Sequence, residues 1–430
     1  MGASPEQPNY RIAVVVSFEQ LPLKLLSAYG SELGQTPNFD RMAAHGVLFD
    51  QHFADDLGAS RTRHAWWDGM TAVRAEVAST DQTLATICSA AGIACHLISD
   101  SPPSEWDVAP QGWETHYRDT QSESASEGMG ELFATALTTI DQLRQNHQSA
   151  IVWIHSREMP SLPIPGMEFL ELYLNELPQL AEVEEEMEVM PSEEGEDGDL
   201  DGEDEELGAD ESALAFGLIE ETLSILSEEE GELDAIHIKT LNVLAAARLS
   251  EWDHALGQFC DRLSDDLESG NTIFLLTSDK GLPLWESHVT QQLERDQLLG
   301  PLQEETMHLP LLLLRERQPL GERVGAFTQP ADLPATILDW LQVEYEFPDG
   351  RSLLSLVNGS EQELHQVLVC RAGDWESVRE RKWLLIRNRH EGIEKLYIKP
   401  EDRWQVLDVS SQYIDEVDRL LALFSEREQV

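Results

Sequence analysis

The chain has 430 residues, 41% of them hydrophobic, and its 81 acidic and 29 basic residues give a formal net charge of −52. Such an acidic surface repels phosphate backbones and anionic lipid headgroups, which argues against nucleic acids and membranes as partners. We find no apolar stretch near the roughly 20 residues of a membrane span, and no basic region with an apolar core like that of a secretory signal at the N-terminus. We therefore expect a cytoplasmic protein. Its cysteines lack metal-site spacing and are interpreted as buried thiols; they are Cys88, Cys95, Cys260 and Cys370.

Three short apolar runs predict buried parallel strands, because each is rich in β-branched and aromatic residues and ends in polar ones. These runs are residues 12–18 (IAVVVSF), 151–154 (IVWI) and 272–277 (TIFLLT).

Segments with helical patterns lie between these strands, at residues 37–45, 84–91 and 242–263. The first has a proline near its start, and the first two are each followed by a glycine, the usual asymmetry of a helix. Because strands and helices alternate, we predict an α/β fold with a large, mostly parallel central sheet and helices on both faces.

Residues 181–212 interrupt this alternation. They contain 17 Asp and Glu residues and no Lys or Arg, and removing these 17 from the total of 81 still leaves 64 acidic against 29 basic residues. With few large apolar side chains, the segment cannot offset the entropy of ordering. We predict a disordered acidic insertion, and the functional alternative is a docking segment for a basic protein partner.

The pattern changes after about residue 360, where short strands joined by polar turns and a closing helix at 411–424 are expected. The predicted strands are residues 366–370, 382–387 and 394–398. We therefore divide the chain into an α/β domain over residues 1–360 and a small C-terminal antiparallel sheet with one helix over residues 361–430.

Several segments resemble the sulfatases of the alkaline phosphatase superfamily, in order and in spacing. Residues 28–49 (AYGSELGQTPNFDRMAAHGVLF) are similar to the block "CYG…TPNLDRLAAEGVRF" of that family, and residues 277–281 (TSDKG) to its "TSDHG" or "TSDNG" turn. Residues 349–354 (DGRSLL) match a family segment outright. Further similar segments lie at 63–69, 304–314, 332–341 and 394–407. The resemblance runs from about residue 10 to about residue 425 and implies the sulfatase fold.

The resemblance also implies a sulfuric ester hydrolase whose divalent cation, usually calcium, is held by oxygen ligands and polarises the sulfate. The positions of its ligands fall on Glu19 and Gln20 after the first strand and on Asp279 and Lys280 in the later turn. Gln offers only a neutral carbonyl, and Lys has donors but no acceptor and repels a cation. A degenerate metal site at Glu19, Gln20 and Asp279 is implied. We expect no cofactor, or Ca²⁺ or Mg²⁺ if this site still binds one.

The nucleophile of the family, a Cys matured to formylglycine or a Ser, falls on Ala59, whose methyl group cannot attack sulfur. Arg63 of the same motif is retained. Ser60, next to the nucleophile position, and His155, at the end of the second predicted strand, are the remaining catalytic candidates. The alternative for His155 is a purely structural strand-end residue. Asp100 replaces a sulfate-binding Lys of the family.

Lys280 and Arg63 are the predicted binding residues. We expect the Lys280 ammonium, with Arg63, to take the place of the lost metal through a salt bridge to Glu19 or Asp279. The alternative is a Lys280 that faces solvent.

These substitutions predict a sulfatase-family protein that has lost catalysis and acts as a binding or scaffold module. One alternative is an active metal-dependent sulfatase or phosphatase-type hydrolase with a rearranged site, in which Ser60 or Thr62 lies beside a cation on Glu19 and Asp279. Another is a protein that binds cations or a basic partner through residues 181–212. A melting temperature that rises with calcium or magnesium distinguishes the active enzyme from the inactive one.

Overall fold

The computed structural model describes residues 10–75, 82–101, 111–118, 125–157, 165–177, 209–226, 234–284, 302–316 and 320–428. In chain order, the strands are β1 (Ile12–Phe18), β2 (Val47–Phe49), β3 (His52–Phe53), β4 (Ala94–Ser99), β5 (Glu114–Tyr117), β6 (Ala150–Ser156), β7 (Thr272–Ser278), β8 (His308–Leu309), β9 (Leu311–Leu314), β10 (Glu322–Val324), β11 (Leu368–Ala372), β12 (Trp375–Arg379), β13 (Trp383–Asn388) and β14 (Ile393–Ile398).

The helices in this part of the chain are α1 (Pro37–Ala43), α2 (Ala59–Asp68), α3 (Ala72–Ala75), α4 (Leu84–Ala90), α5 (Ala125–Gln145), α6 (Met167–Leu170), α7 (Ala209–Leu226), α8 (Ala235–Glu268), α9 (Glu304–Met307), α10 (Asp332–Leu341), α11 (Leu354–Val357) and α12 (Ile414–Glu428). In the same residues, we find no helix that combines the length and apolarity needed to cross a bilayer.

A large sheet forms the centre of the molecule, with eight strands in the order β10-β2-β9-β7-β1-β6-β4-β5. Its central strands β7, β1 and β6 run parallel and are buried along their whole length. Burial on both faces explains why each strand is a continuous apolar run rather than an alternating one. Strand β9 is antiparallel to β2 and β7. The predicted large, mostly parallel sheet is confirmed.

Helices cover both faces of this sheet. Successive side chains of a strand point to opposite faces, so Val14 packs with α5 and α8 on one face, whereas Val15 packs with α2, α4 and α10 on the other. The prediction of helices on both faces is confirmed.

The C-terminal part is a four-stranded antiparallel sheet, β11-β12-β13-β14, with α12 against it. This arrangement confirms the predicted small sheet with one helix, although β12 was not predicted. Glu304 of α9 contacts this part of the chain through ion pairs with Arg379, at 2.7 Å, and with Lys399, at 3.1 Å. A division of the chain at residue 360 stays a prediction.

The predicted acidic insertion, residues 181–212, lies mostly outside the described residues. Its last four residues are different, because they form the first turn of α7. The predicted disorder of the acidic segment stays a prediction. Further along α7, Ile219 is buried in the core beside α8.

Candidate active site

The carboxyl ends of β1, β6 and β7 meet at one edge of the central sheet, where open α/β sheets bind ligands. The parallel register places Ser156 and Ser278 on either side of the last residue of β1. The residues that follow these strands are Glu19, Arg157 and Asp279. As predicted, Glu19 and Asp279 therefore converge at this edge.

Asp279 is completely buried and is held by the backbone of the loop after β1. Its Oδ1 atom accepts a hydrogen bond from the backbone N–H of Gln20 at 2.9 Å. Gln20 adopts a positive φ of 73°. Its backbone N–H, rather than the side-chain carbonyl expected of a metal ligand, is thereby directed at the carboxylate.

The other oxygen of Asp279, Oδ2, is buried and has no hydrogen-bond partner among the described residues. Burial raises the pKa of Asp279 to about 6, although the neighbouring Lys280 charge and the Gln20 hydrogen bond act in the opposite direction. The protonated, neutral form is therefore favoured over a wider pH range than for an ordinary aspartate.

Glu19 is paired with a basic residue that the sequence did not single out. The Nε of Arg157 donates to Oε2 of Glu19 at 3.0 Å. Asp100 holds Arg157 in place, because its carboxylate accepts the Arg157 backbone N–H at 3.0 Å and the hydroxyl of Ser156 at 2.8 Å. Asp100, predicted at the position of a sulfate-binding Lys, thus anchors the residue that pairs with Glu19.

Lys280 does not form the predicted salt bridge. In the part of the chain that the structure describes, its ammonium makes no ion pair with Glu19 or Asp279, although its charge still lowers the pKa of Asp279. Arg157, which follows the neighbouring strand, pairs with Glu19 instead, and a binding role for Lys280 and Arg63 stays a prediction.

His155 and Arg63 belong to a buried network behind this edge. Arg63 Nη2 lies 3.4 Å from His155 Nε2, and His155 Nδ1 lies 2.9 Å from the hydroxyl of Ser17. A guanidinium can only donate, so Nε2 accepts and Nδ1–H donates to Ser17. The same hydroxyl oxygen accepts from Trp153 Nε1 at 2.8 Å.

Burial and the Arg63 charge lower the pKa of His155 well below its ordinary value. The imidazole is therefore neutral at pH 7 and both of its nitrogens are engaged. This geometry favours the structural interpretation of His155 over a role as a proton donor.

The nucleophile position lies at the start of a helix that points at the same edge. Ala59 and Ser60 are the first two residues of α2. One turn later, the hydroxyl of Thr62 donates to the backbone carbonyls of Gly58 and Asp279, each at 3.4 Å. Thr62 is therefore turned toward the main chain rather than toward a substrate.

A calcium or magnesium ion does not fit this donor set. Calcium takes six to eight oxygen ligands and magnesium six. Among the described residues at this edge, the carboxylates are those of Glu19, Asp279 and Asp100; Glu19 is already paired with Arg157, and Asp100 accepts from Ser156 and the Arg157 backbone. The unpartnered Oδ2 of Asp279 is one suitable ligand. Lys280 and Arg63 add positive charge, and each basic group about 4 Å from a divalent ion repels it by several kcal/mol at an effective dielectric constant near 20.

Comparisons with known proteins agree with this fold. A family model described as Sulfatase matches residues 11–163 and 199–343. Among solved structures, BT4656, in complex with its substrate D-glucosamine-2-N,6-O-disulfate, has a TM-score of 0.70 at 17% identity and covers 99% of this chain and 98% of its own.

Two phosphonate monoester hydrolases are also similar. The enzyme of Silicibacter pomeroyi has a TM-score of 0.71 at 17% identity, covering 97% of this chain and 95% of its own. The enzyme of Agrobacterium radiobacter has a TM-score of 0.68 at 16% identity, covering 97% and 96%. A search of curated proteins finds no match. At these identities the likeness shows a shared fold over nearly the whole chain.

Proposed function

The chain belongs to the sulfatase family, and we propose that it has lost the ester hydrolysis of that family and serves as a binding or scaffold module. The observation that carries the proposal is the ion pair between Glu19 and Arg157, at 3.0 Å. Glu19 is the first of the expected metal ligands, and the guanidinium of Arg157 supplies the positive charge next to it that a bound cation would otherwise supply. It carries one charge instead of two and has no open coordination position for a sulfate oxygen.

The other parts of a hydrolytic site support the same proposal. Ester hydrolysis requires an activated nucleophile and a proton donor for the leaving group. The nucleophile position is Ala59, and the neighbouring Thr62 hydroxyl donates to main-chain carbonyls. His155 is neutral and closed in by Arg63 and Ser17. Among the described residues, these contacts support the loss of hydrolysis that we propose.

A second candidate is an active metal-dependent sulfatase or phosphatase-type hydrolase with a rearranged site. The buried Oδ2 of Asp279 favours it, because an unpartnered carboxylate oxygen is a suitable cation ligand. Fold alone does not decide between the two, since function depends on the site.

Hydrolysis of generic aryl sulfates and aryl phosphates, with and without calcium or magnesium, tests the choice. The inactive protein is expected to give no turnover under any of these conditions. Turnover that depends on an added cation and is abolished by Glu19→Ala would establish the rearranged enzyme and refute our proposal.

We also propose that the acidic segment recruits a basic protein partner. Its 17 acidic residues without a single basic one support the idea. A deletion of residues 181–208 spares α7 and is expected to abolish capture of that partner, whereas capture by the full chain falls as salt rises. Capture that survives the deletion contradicts this part of the proposal.

A cytoplasmic location is the last element of the proposal. All four cysteines are buried free thiols. Cys88 and Cys95 lie close enough for their thiols to hydrogen-bond, and this contact and burial raise the pKa of Cys95. Neighbouring thiols that stay reduced are typical of a reducing compartment. Fractionation of cells that produce the full chain tests this location.

A further inference from the structure

A cluster of metal-ligating side chains lies on the edge of the central sheet, away from the candidate active site. The pairing of β4 with β5 places His96 beside Glu114, and His116 follows Glu114 by two residues. Residues two apart on a strand share a face, so all three side chains project from the same side of the sheet. One ligand atom from each lies within 4.8 Å of the other two.

The separations between these atoms are close to those between the ligands of one metal ion. His96 Nδ1 lies 3.4 Å from His116 Nε2, and the two carboxylate oxygens of Glu114 face one imidazole each, with Oε2 3.6 Å from His96 Nδ1 and Oε1 3.6 Å from His116 Nε2. Two ligands that bind zinc at about 2.0–2.1 Å with a tetrahedral angle are about 3.3 Å apart. A separation of 3.6 Å is too long for a good hydrogen bond, so hydrogen bonding does not account for the position of the carboxylate.

The chemical state of the cluster also suits a metal. Imidazole nitrogens and carboxylate oxygens are both common ligands of divalent transition metals. Glu114 contributes a negative charge, and its side chain is 68% exposed, so an ion has a path from solvent. The net charge of −52 raises the local concentration of cations.

We propose that His96, Glu114 and His116 bind a divalent transition metal, with Zn²⁺ the ion that fits the set best. Two imidazoles and one carboxylate, with a fourth position left to water, are ligands that zinc prefers, whereas calcium and magnesium prefer all-oxygen sites. The ion joins edge strand β5 to β4 and stabilises the folded chain.

This site is independent of the proposed function. His96 precedes Asp100 by four residues along β4, about 13 Å at roughly 3.3 Å per residue. The zinc site and the Glu19–Arg157 edge can therefore be altered separately, and the failure of one proposal leaves the other intact.

Titration of the chelator-stripped full chain with zinc, in competition with a chromophoric chelator, tests the proposal. We expect one tight equivalent, a rise in melting temperature, and visible d–d absorption bands when cobalt replaces zinc. Loss of a protein ligand weakens binding strongly, so His116→Gln is expected to lower zinc affinity at least about tenfold and to abolish both the rise and the bands. Excess magnesium is expected to leave binding unchanged.

His390→Gln is the matched control, because exposed His390 lies 3.1 Å from Asp374 without a second imidazole in the pair. It is expected to bind zinc as the wild type does. Glu114→Gln changes an exposed side chain and decides the result if His116→Gln fails to fold. The proposal is overturned if the wild type binds no zinc at micromolar concentration, if the folded variants retain wild-type affinity, or if magnesium displaces the ion, which indicates non-specific binding to the acidic surface.

Discussion

The Nε of Arg157 lies 3.0 Å from Oε2 of Glu19, where the carboxyl ends of β6 and β1 lie side by side. Because each residue directly follows its strand, the register of the sheet, rather than a flexible loop, brings the two charges together. The Arg157 guanidinium is therefore a positive charge of the protein itself, at the edge of the sheet where the family resemblance implies a bound metal ion. The consequences can be tested at each of the groups that surround it.

Removing the competing basic groups is expected to create a response to calcium. In Arg157→Gln with Lys280→Asn, Glu19 and Asp279 lose two positive neighbours and gain an oxygen ligand, so the melting temperature is expected to rise with added calcium. Binding at one hundred times the dissociation constant adds about 2.7 kcal/mol to the free energy of unfolding. For the wild type, added calcium is expected to change the melting temperature only through general screening of the acidic surface.

The matched control for this pair is Arg41→Gln with Lys382→Asn, which removes the same charge elsewhere. Arg41 makes an exposed ion pair with Asp261 at 2.7 Å, so its loss costs about 1 kcal/mol or less. An equal calcium response in the control shows that net charge alone is responsible and contradicts the prediction.

Asp279→Asn is expected to stabilise the protein above pH 6. The folded-state pKa of about 6 exceeds the ordinary value of 3.8. The stability linked to protonated Asp279 is therefore fully present below pH 3.8 and is lost as the pH rises to about 6. At 1.36 kcal/mol per unit the full difference is about 3 kcal/mol, and the unpaired amide of Asn offsets part of it.

Chemical denaturation between pH 4 and pH 8 measures this effect. The gain of Asp279→Asn over the wild type is expected to be on the order of 1–3 kcal/mol at pH 8 and to shrink toward pH 4. Asp374→Asn, at an exposed position, is the control and is expected to show no such trend. A gain that stays constant over the whole range means that Asp279 is not titrating in it.

The sequence predicts the long apolar strands at the centre of the sheet but misses several others, among them the short apolar strand β9 and strand β12, whose burial depends on charge. Strands β1, β6 and β7 are unbroken apolar runs, so pattern alone locates them. Strand β12 (WESVR) contains Glu376, which is buried because Arg371 and Arg387 pair with it at 2.6 and 2.7 Å. These partners come from neighbouring strands, so a local pattern gives no sign that the glutamate is interior.

The candidate active site also contains residues that the sequence predicts and a residue that it does not. Glu19 and Asp279 are predicted because the family resemblance places metal ligands at these positions, which directly follow buried strands. Arg157 follows a predicted strand too, but the family resemblance assigns it no role. Its pairing with Glu19 depends on the register between β1 and β6 and on the anchoring of its backbone by Asp100. Because these contacts join residues that are far apart in the sequence, a local sequence pattern does not predict them.

Restoring a hydroxyl at the nucleophile position is not expected to restore catalysis. Ala59→Ser adds a hydroxyl at the start of α2, but Glu19 remains paired with Arg157, so we expect no divalent cation to activate that hydroxyl. We expect no hydrolysis of aryl sulfates above the buffer rate, at an unchanged melting temperature. Calcium-dependent turnover by this single variant means that the metal site is functional.

The buried carboxylate of Glu304 is expected to be a major contributor to stability. It accepts from both terminal nitrogens of Arg379, at 2.7 and 2.9 Å, and lies 3.1 Å from the amine of Lys399. Glu304→Gln leaves these two basic groups buried without a counter-charge, and breaking a buried pair in this way costs about 3–5 kcal/mol. Glu380→Gln is the control, because its partner Arg419 is exposed and such pairs contribute about 1 kcal/mol or less.

The cost of Glu304→Gln is also expected to depend on pH. Burial alone would raise the pKa of Glu304, but the charges of Arg379 and Lys399 lower it from 4.5 to about 2. The stability linked to the ionised carboxylate is therefore fully present above pH 4.5 and is lost as the pH falls toward 2. In urea unfolding at a series of pH values, the difference between wild type and Glu304→Gln should narrow below pH 4.5. A difference that is small at pH 7 shows that this carboxylate is not a major contributor to stability.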